Sequence, residues 1–148
     1  MMLRPVHLLL AVALMATGLN AQAASAFTGC YSVTMGGWSG PFPSGSSEYH
    51  QPPRAFRLDT ASISIDGYHR VEPNIARLGN RMQPGWRVSA PDSVHVFWSS
   101  GFAGVDLKLV ARGDTLKGIA RAFHDVIGPV QPTAPVVAVR IACGGTSP

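Results

Sequence analysis

The stretch SVHVFWSSGFAGVDLKLVARGDTLKGIARAF, residues 93–123, decides the fold. Val94, Val96 and Trp98 alternate with Ser93, His95 and Phe97, the period of two that a half-buried strand requires. The Ser99-Ser100-Gly101 turn interrupts the run, and Val105, Leu107 and Leu109 then alternate with Asp106 and Lys108. Arg112-Gly113-Asp114 reverses the chain again into Leu116–Phe123. Three strands joined by two short turns predict an antiparallel meander. The Arg-Gly-Asp tripeptide also spells a cell-adhesion motif, but between two strands it is read as a turn.

Working outward, the Pro-rich residues 128–135 lead into a final strand candidate, Val136–Cys143. Upstream, Phe27–Met35 alternates as a first strand, with Phe27, Gly29, Tyr31, Val33 and Met35 on one side. Gly36–Pro53 is a long loop rich in Gly, Pro and Ser that carries Trp38, Phe42 and Tyr49. Arg54–Leu58 and Ser62–Ile65 are short strand candidates, and the Asp66-Gly67 turn returns the chain through Tyr68–Val71. Residues 72–85 contain two prolines and are ambiguous, with a helical turn expected at 75–78; Trp86–Ser89 is extended. Gly and Pro together make 28 of 148 residues, so few stretches escape them long enough to form a helix. The expected fold is all-β: an antiparallel meander of about eight strands closing into a small barrel, which removes its edges.

Residues 1–26 carry the three parts of a cleavable signal peptide: Arg4, the apolar run Leu8–Met15, and two small-x-small sites, Ala21-Gln22-Ala23 and Ala24-Ser25-Ala26. Thr17, Gly18 and Asn20 end the apolar run short of the roughly 20 residues of a membrane anchor. Cleavage after Ala26 is expected to leave a single domain, 27–148, secreted or periplasmic and touching the membrane only through its transient leader. Two cysteines, Cys30 and Cys143, lie near the ends of that domain. In an oxidising compartment they pair most simply as a disulfide. The alternative is lipidation of Cys30, because Thr28-Gly29-Cys30 half-resembles a bacterial lipobox.

Gly29-Cys30-Tyr31 at the start and Arg140 near the end resemble the lipocalin-like, or calycin, barrels, which open on a Gly-x-Trp strand and carry an Arg on the last strand. The long loop after the first strand is similar to the one that overhangs a lipocalin mouth, and a Gly-Cys-Tyr start with an Arg-Ile-x-Cys finish resembles small secreted bacterial proteins. The resemblance implies that Arg140 packs over the Tyr31 ring and closes one end of the barrel. Strand parity leads separately to the same pair. If Tyr31 faces inward, Cys30 faces outward, and a bridged Cys143 then places Arg140 inward, within reach of a cation–π contact. The same parity turns Val137, Val139 and Ile141 outward, where they need a cover or a partner; a Cys143 lying past the strand's end would instead break the parity.

The chain carries a formal charge of +4, from twelve basic residues of which ten are Arg. They are scattered singly with no aromatic–basic module, which argues against nucleic acid as a partner. His50, His69, His95 and His124 show no metal-ligand spacing, and no nucleophile elbow, zinc-protease motif or phosphate loop occurs. No catalytic residue, metal or cofactor is therefore assigned. The expected ligand-binding residues are Leu116, Gly118 and Ala120, whose small face leaves room inside a barrel, and Trp98, which either lines or fills that room. Trp38, Phe42 and Tyr49 are the candidate apolar lid, or plug, at the mouth. The expected function is binding of a small hydrophobic ligand. The alternative is a cell-envelope interaction protein or inhibitor, a homodimer included, with a solid barrel and an outer apolar strip.

Overall fold

In a computed structural model, which describes residues 23–41, 51–65, 67–73, 83–124 and 131–144, eight antiparallel strands close into a barrel in sequence order. The strands are β1 (Gly29–Met35), β2 (Ala55–Ser62), β3 (His69–Glu72), β4 (Gln83–Ala90), β5 (Ser93–Ser99), β6 (Ala103–Arg112), β7 (Thr115–His124) and β8 (Thr133–Ile141). β8 returns to β1 with a register running from Cys30 opposite Ile141 to Met35 opposite Val136. The first and last strands are thus joined side by side, and the sheet keeps no free edge there.

The alternation that predicted the strands also sorts the two faces of the wall. Tyr31, Phe56, Leu58, Val71, Trp86, Val96, Trp98 and Leu107 point inward and are buried in one cluster. Arg57, Arg70, Arg87, Lys108, Lys117 and Arg121 alternate with inward residues and face out. A lipid-embedded barrel shows the opposite alternation, apolar out and polar in. No helix among the described residues is long and apolar enough to cross a membrane.

Four local readings change. Phe27 belongs to a helical segment, residues 23–27, and not to the first strand. Ala24 and Phe27 lie three residues apart on one side of that segment, and both are buried in the core. In place of the two short strands expected at 54–58 and 62–65 there is one strand, β2, which runs through 59–61 and ends at Ser62, leaving 63–65 outside any strand; its register with β3 shifts between Leu58 and Ser62. β4 starts earlier than expected, at Gln83, and runs through Pro84 and Gly85. Cys143 lies past the end of β8, yet Arg140 still reaches Tyr31. The helical turn expected at 75–78 lies outside the described residues, as does Asp66.

The register shift in β2 has a use. It leaves the Asp59 carbonyl free to accept the Trp86 indole N–H at 2.9 Å, while the Pro73 carbonyl accepts that of Trp98 at 3.2 Å. Both indoles are fully buried, and a buried N–H without a partner would cost about 1–3 kcal/mol. Irregular backbone in β2 and after β3 is therefore matched to the two largest core side chains.

Candidate functional site

One end of the barrel is closed by residues drawn from both ends of the chain. Tyr31 and Arg140 are direct cross-strand partners, and the Arg140 guanidinium carbon sits 5.1 Å from the Tyr31 ring centroid. Arg140 donates to the Tyr31 hydroxyl at 2.8 Å, to the Ala26 carbonyl at 2.9 Å and to the Thr28 carbonyl at 2.6 Å. The Tyr31 hydroxyl in turn donates to the Phe27 carbonyl at 2.9 Å. Burial raises the Tyr31 phenol above its ordinary pKa despite the facing guanidinium. Gly29 permits the approach: its φ is +141°, and a Cβ there would lie 2.6 Å from Arg140 Nη1. The Cys30–Cys143 disulfide, with Cα atoms 5.2 Å apart, pins the chain ends beside this knot.

The interior is occupied by side chains. Trp98 and Ala120 have no accessible surface, and Leu116 has 3%, so no water-sized space lies against the first two. Gly118 also serves packing: a Cβ at this position would overlap the Lys108 carbonyl oxygen of the neighbouring strand. The small face of β7 therefore admits large partners and a close backbone, with Trp98, Leu116 and Ala120 in the core and Gly118 at the contact with β6. Trp38 is partly buried and packs against the same core, while its neighbour Ser39 bonds across to Thr133. Phe42 and Tyr49 lie outside the described residues.

The large open volume is on the outer wall. A groove of about 790 Å³ runs over β1, β2 and β3, from Ile63 and Pro84 at one side to Ile141 and Ala142 at the other. Its wall includes Ala55, Pro73, Arg57, Arg70 and Glu72. The groove forms where the barrel is least completely paired. β3 is four residues long, and its register with β4 is a single pair, His69 opposite Trp86. Pro73 and Pro84 flank that seam and have no N–H with which to extend the ladder.

A second cluster occupies the outer face of β4, β5, β6 and β7. Arg121 Nε donates to Asp106 Oδ2 at 2.9 Å, and His95 Nε2 stands 3.8 Å from Asp106 Oδ1. Asp106 is outward-facing and yet only 3% exposed. Burial lowers the His95 pKa, as do Arg87, Lys108 and Arg121; Asp106 opposes them without reversing the direction. His95 and Asp106 thus share a covered patch beside Phe97, whose ring is 5.8 Å from the imidazole. Phe97 meets Tyr68 edge-on at 5.1 Å, and Arg87 lies over the Tyr68 ring. These contacts fasten Tyr68 to the wall. Among the described residues no three His, Cys, Asp or Glu side chains gather as a metal site.

The sequence reading brought Cys30, Cys143, Tyr31 and Arg140 together as the structure does. It missed the groove, whose outward residues Ala55, Arg57, Arg70 and Glu72 occupy ordinary polar or small positions in alternating runs. It also missed the Asp106–Arg121 pair, for which the only signal was a carboxylate interrupting the apolar run of residues 103–111. Comparison with protein-family models, with curated proteins and with solved structures finds no match.

Proposed function

We propose that this chain is an exported, lipocalin-like binding protein that holds an apolar ligand on the outside of its barrel. The groove over β1–β3 carries the reading. Its volume of about 790 Å³ falls in the range of small-molecule sites, about 300–1,000 Å³. Ala55, Ile63, Pro73, Pro84, Ile141 and Ala142 supply an apolar wall, and Arg57 and Arg70 outweigh Glu72 in charge. The chemistry fits an apolar body carrying an anionic group, as in a fatty acid. Export is supported by the apolar run at Leu8–Met15 and by the bridged cysteines. The lipocalin likeness is supported by the closed eight-strand meander and the Tyr31–Arg140 contact.

The test is titration with a fluorescent fatty acid. Wild type should bind with saturation; Ala55→Trp, which fills the groove from the outer face of β2, should abolish binding; Arg70→Glu should weaken it several-fold. Saturable binding that survives Ala55→Trp unchanged, or no binding by wild type, rejects the groove as the site.

A second reading rests on a separate observation. Ile119 is 54% exposed and Val139 44% exposed, and with Pro135, Val137 and Ile141 they make an apolar strip along the outer face of β7 and β8. Such a strip suits a partner protein or a second copy. Sedimentation velocity of wild type against Val139→Lys decides it: a dimer lost in the variant favours the strip.

A further inference from the structure

Two small-x-small sites stand in tandem, one ending at Ala23 and the next at Ala26. Either satisfies the rule for leader cleavage, and the second is the one expected from the strand-like pattern that begins at Phe27. We propose that the leader is cut between Ala23 and Ala24, and that residues 24–26 are retained as part of the folded barrel. The proposal rests on the reading of the chain as exported.

Three observations place residues 24–28 in the fold. Ala24 and Phe27, 3% and 4% exposed, are members of the core cluster. The Ser25 carbonyl accepts from the Thr28 amide at 3.3 Å and from the Thr28 hydroxyl at 2.7 Å, which closes the helical segment onto the start of β1. The Ala26 carbonyl accepts from Arg140 Nη2 at 2.9 Å. Arg140 thus grips the Ala26–Phe27 peptide while it also holds Tyr31.

A cut after Ala26 would act directly on this grip. It would remove the Ala26 carbonyl, leaving a guanidinium nitrogen without one of its acceptors. It would place a new α-ammonium on Phe27, against Arg140, so that two cations met where a neutral carbonyl had been. It would also take Ala24 out of the core and the Ser25 acceptor from Thr28. A cut after Ala23 costs none of these. Its new ammonium falls on Ala24, two residues before the carbonyl that Arg140 holds, and all four acceptors of the closing knot remain. Folding then protects the second site, because the carbonyl of its scissile bond is engaged and the following Phe27 is buried.

The experiment is N-terminal sequencing and intact mass of the protein purified from an exporting host, for wild type, Ala23→Leu and Ala26→Leu. Ala26 is exposed, so its side chain can be enlarged without entering the core. Wild type and Ala26→Leu should both begin at Ala24, whereas Ala23→Leu should lose that start, either accumulating as precursor or beginning at Phe27. A wild-type chain beginning at Phe27, or normal processing in Ala23→Leu with a block in Ala26→Leu, overturns the proposal but keeps export. A chain that retains Met1 overturns both. Purified chains starting at Ala24 and at Phe27 give a second readout: the shorter should unfold at a lower denaturant concentration, and equal midpoints would remove the structural argument.

Discussion

Arg140 lies over the ring of Tyr31 and bonds to its hydroxyl, on strands where the two residues are direct partners. A single cation is thereby shared between a π face, a phenol and two backbone carbonyls of the segment that precedes β1. Each contact alone is modest; together they tie the last strand, the first strand and the N-terminal segment at one point. This makes the end of the barrel a cooperative unit.

Tyr31→Phe keeps the ring and removes the hydroxyl, which strands the Phe27 carbonyl and one donor of Arg140. The expected loss is about 1–2 kcal/mol, read as a lower midpoint in urea with an unchanged slope. Arg140→Lys should lose more than Tyr31→Phe, because an ammonium cannot reach Tyr31, Ala26 and Thr28 in the planar fork of a guanidinium. Equal stability of Arg140→Lys and wild type would show that the fork contributes nothing.

The disulfide encloses a loop set by a sequence separation of 113. In the chain-entropy account such a bridge stabilises by about 4–5 kcal/mol. The double variant Cys30→Ser, Cys143→Ser should therefore unfold at markedly lower urea, and reducing agent should lower wild type to the same midpoint. A midpoint insensitive to reductant would mean that the β1–β8 ladder and the Arg140 knot already fix the ends.

Much of this architecture is written in the sequence in a form that strand periodicity can read. The turns at Gly101 and Gly113 take positive φ, and the alternating runs on either side of them leave one pairing that buries the apolar face. The closing contact was legible through the resemblance that sets Arg140 over Tyr31; the parity step reached the same pair, although its premise of a Cys143 inside the last strand does not hold. What periodicity could not show lies where two periods compete or where no single run holds the feature. Phe27 extends the alternation of β1 by one step, yet its spacing of three from Ala24 places it on a helical turn. Asp59-Thr60-Ala61 reads as a gap between strands because the irregularity in β2 suspends the alternation. The groove joins residues from β1, β2, β3, β4 and the chain's end, each unremarkable in its own run.

Gly118→Ala tests whether the small face of β7 exists for packing. The added methyl meets the Lys108 carbonyl oxygen, a backbone atom that cannot move without shifting β6. The expected cost is at least about 1–3 kcal/mol, the usual range for overpacking, and failure to fold would agree with it. Ala120→Gly, at a position with no accessible surface, should also destabilise, by about 1 kcal/mol from backbone entropy and lost packing. If Gly118→Ala were instead neutral, the strand would have slack at this point, and an interior ligand site would regain its basis.

The outer-wall cluster makes a prediction about pH whose sign follows from burial. The folded state lowers the His95 pKa below the ordinary imidazole value of about 6.5, so the unfolded chain takes up this proton more readily. The contribution of neutral His95 is in place above about pH 6.5 and is lost as pH falls through the lower, folded value. Wild type should therefore lose stability between pH 7.5 and 5 more steeply than His95→Gln, which does not titrate there. Asp106 works against the shift, being the one group that raises the His95 pKa. Asp106→Asn should accordingly move the imidazole titration, followed by NMR, to still lower pH. The same variant removes the carboxylate that Arg121 grips at 2.9 Å, and because Arg121 is half-exposed the stability lost should be only about 1–2 kcal/mol. A His95 pKa that rose in Asp106→Asn would mean that desolvation by the Asp106–Arg121 pair, and not by the wall around Phe97, holds the imidazole neutral.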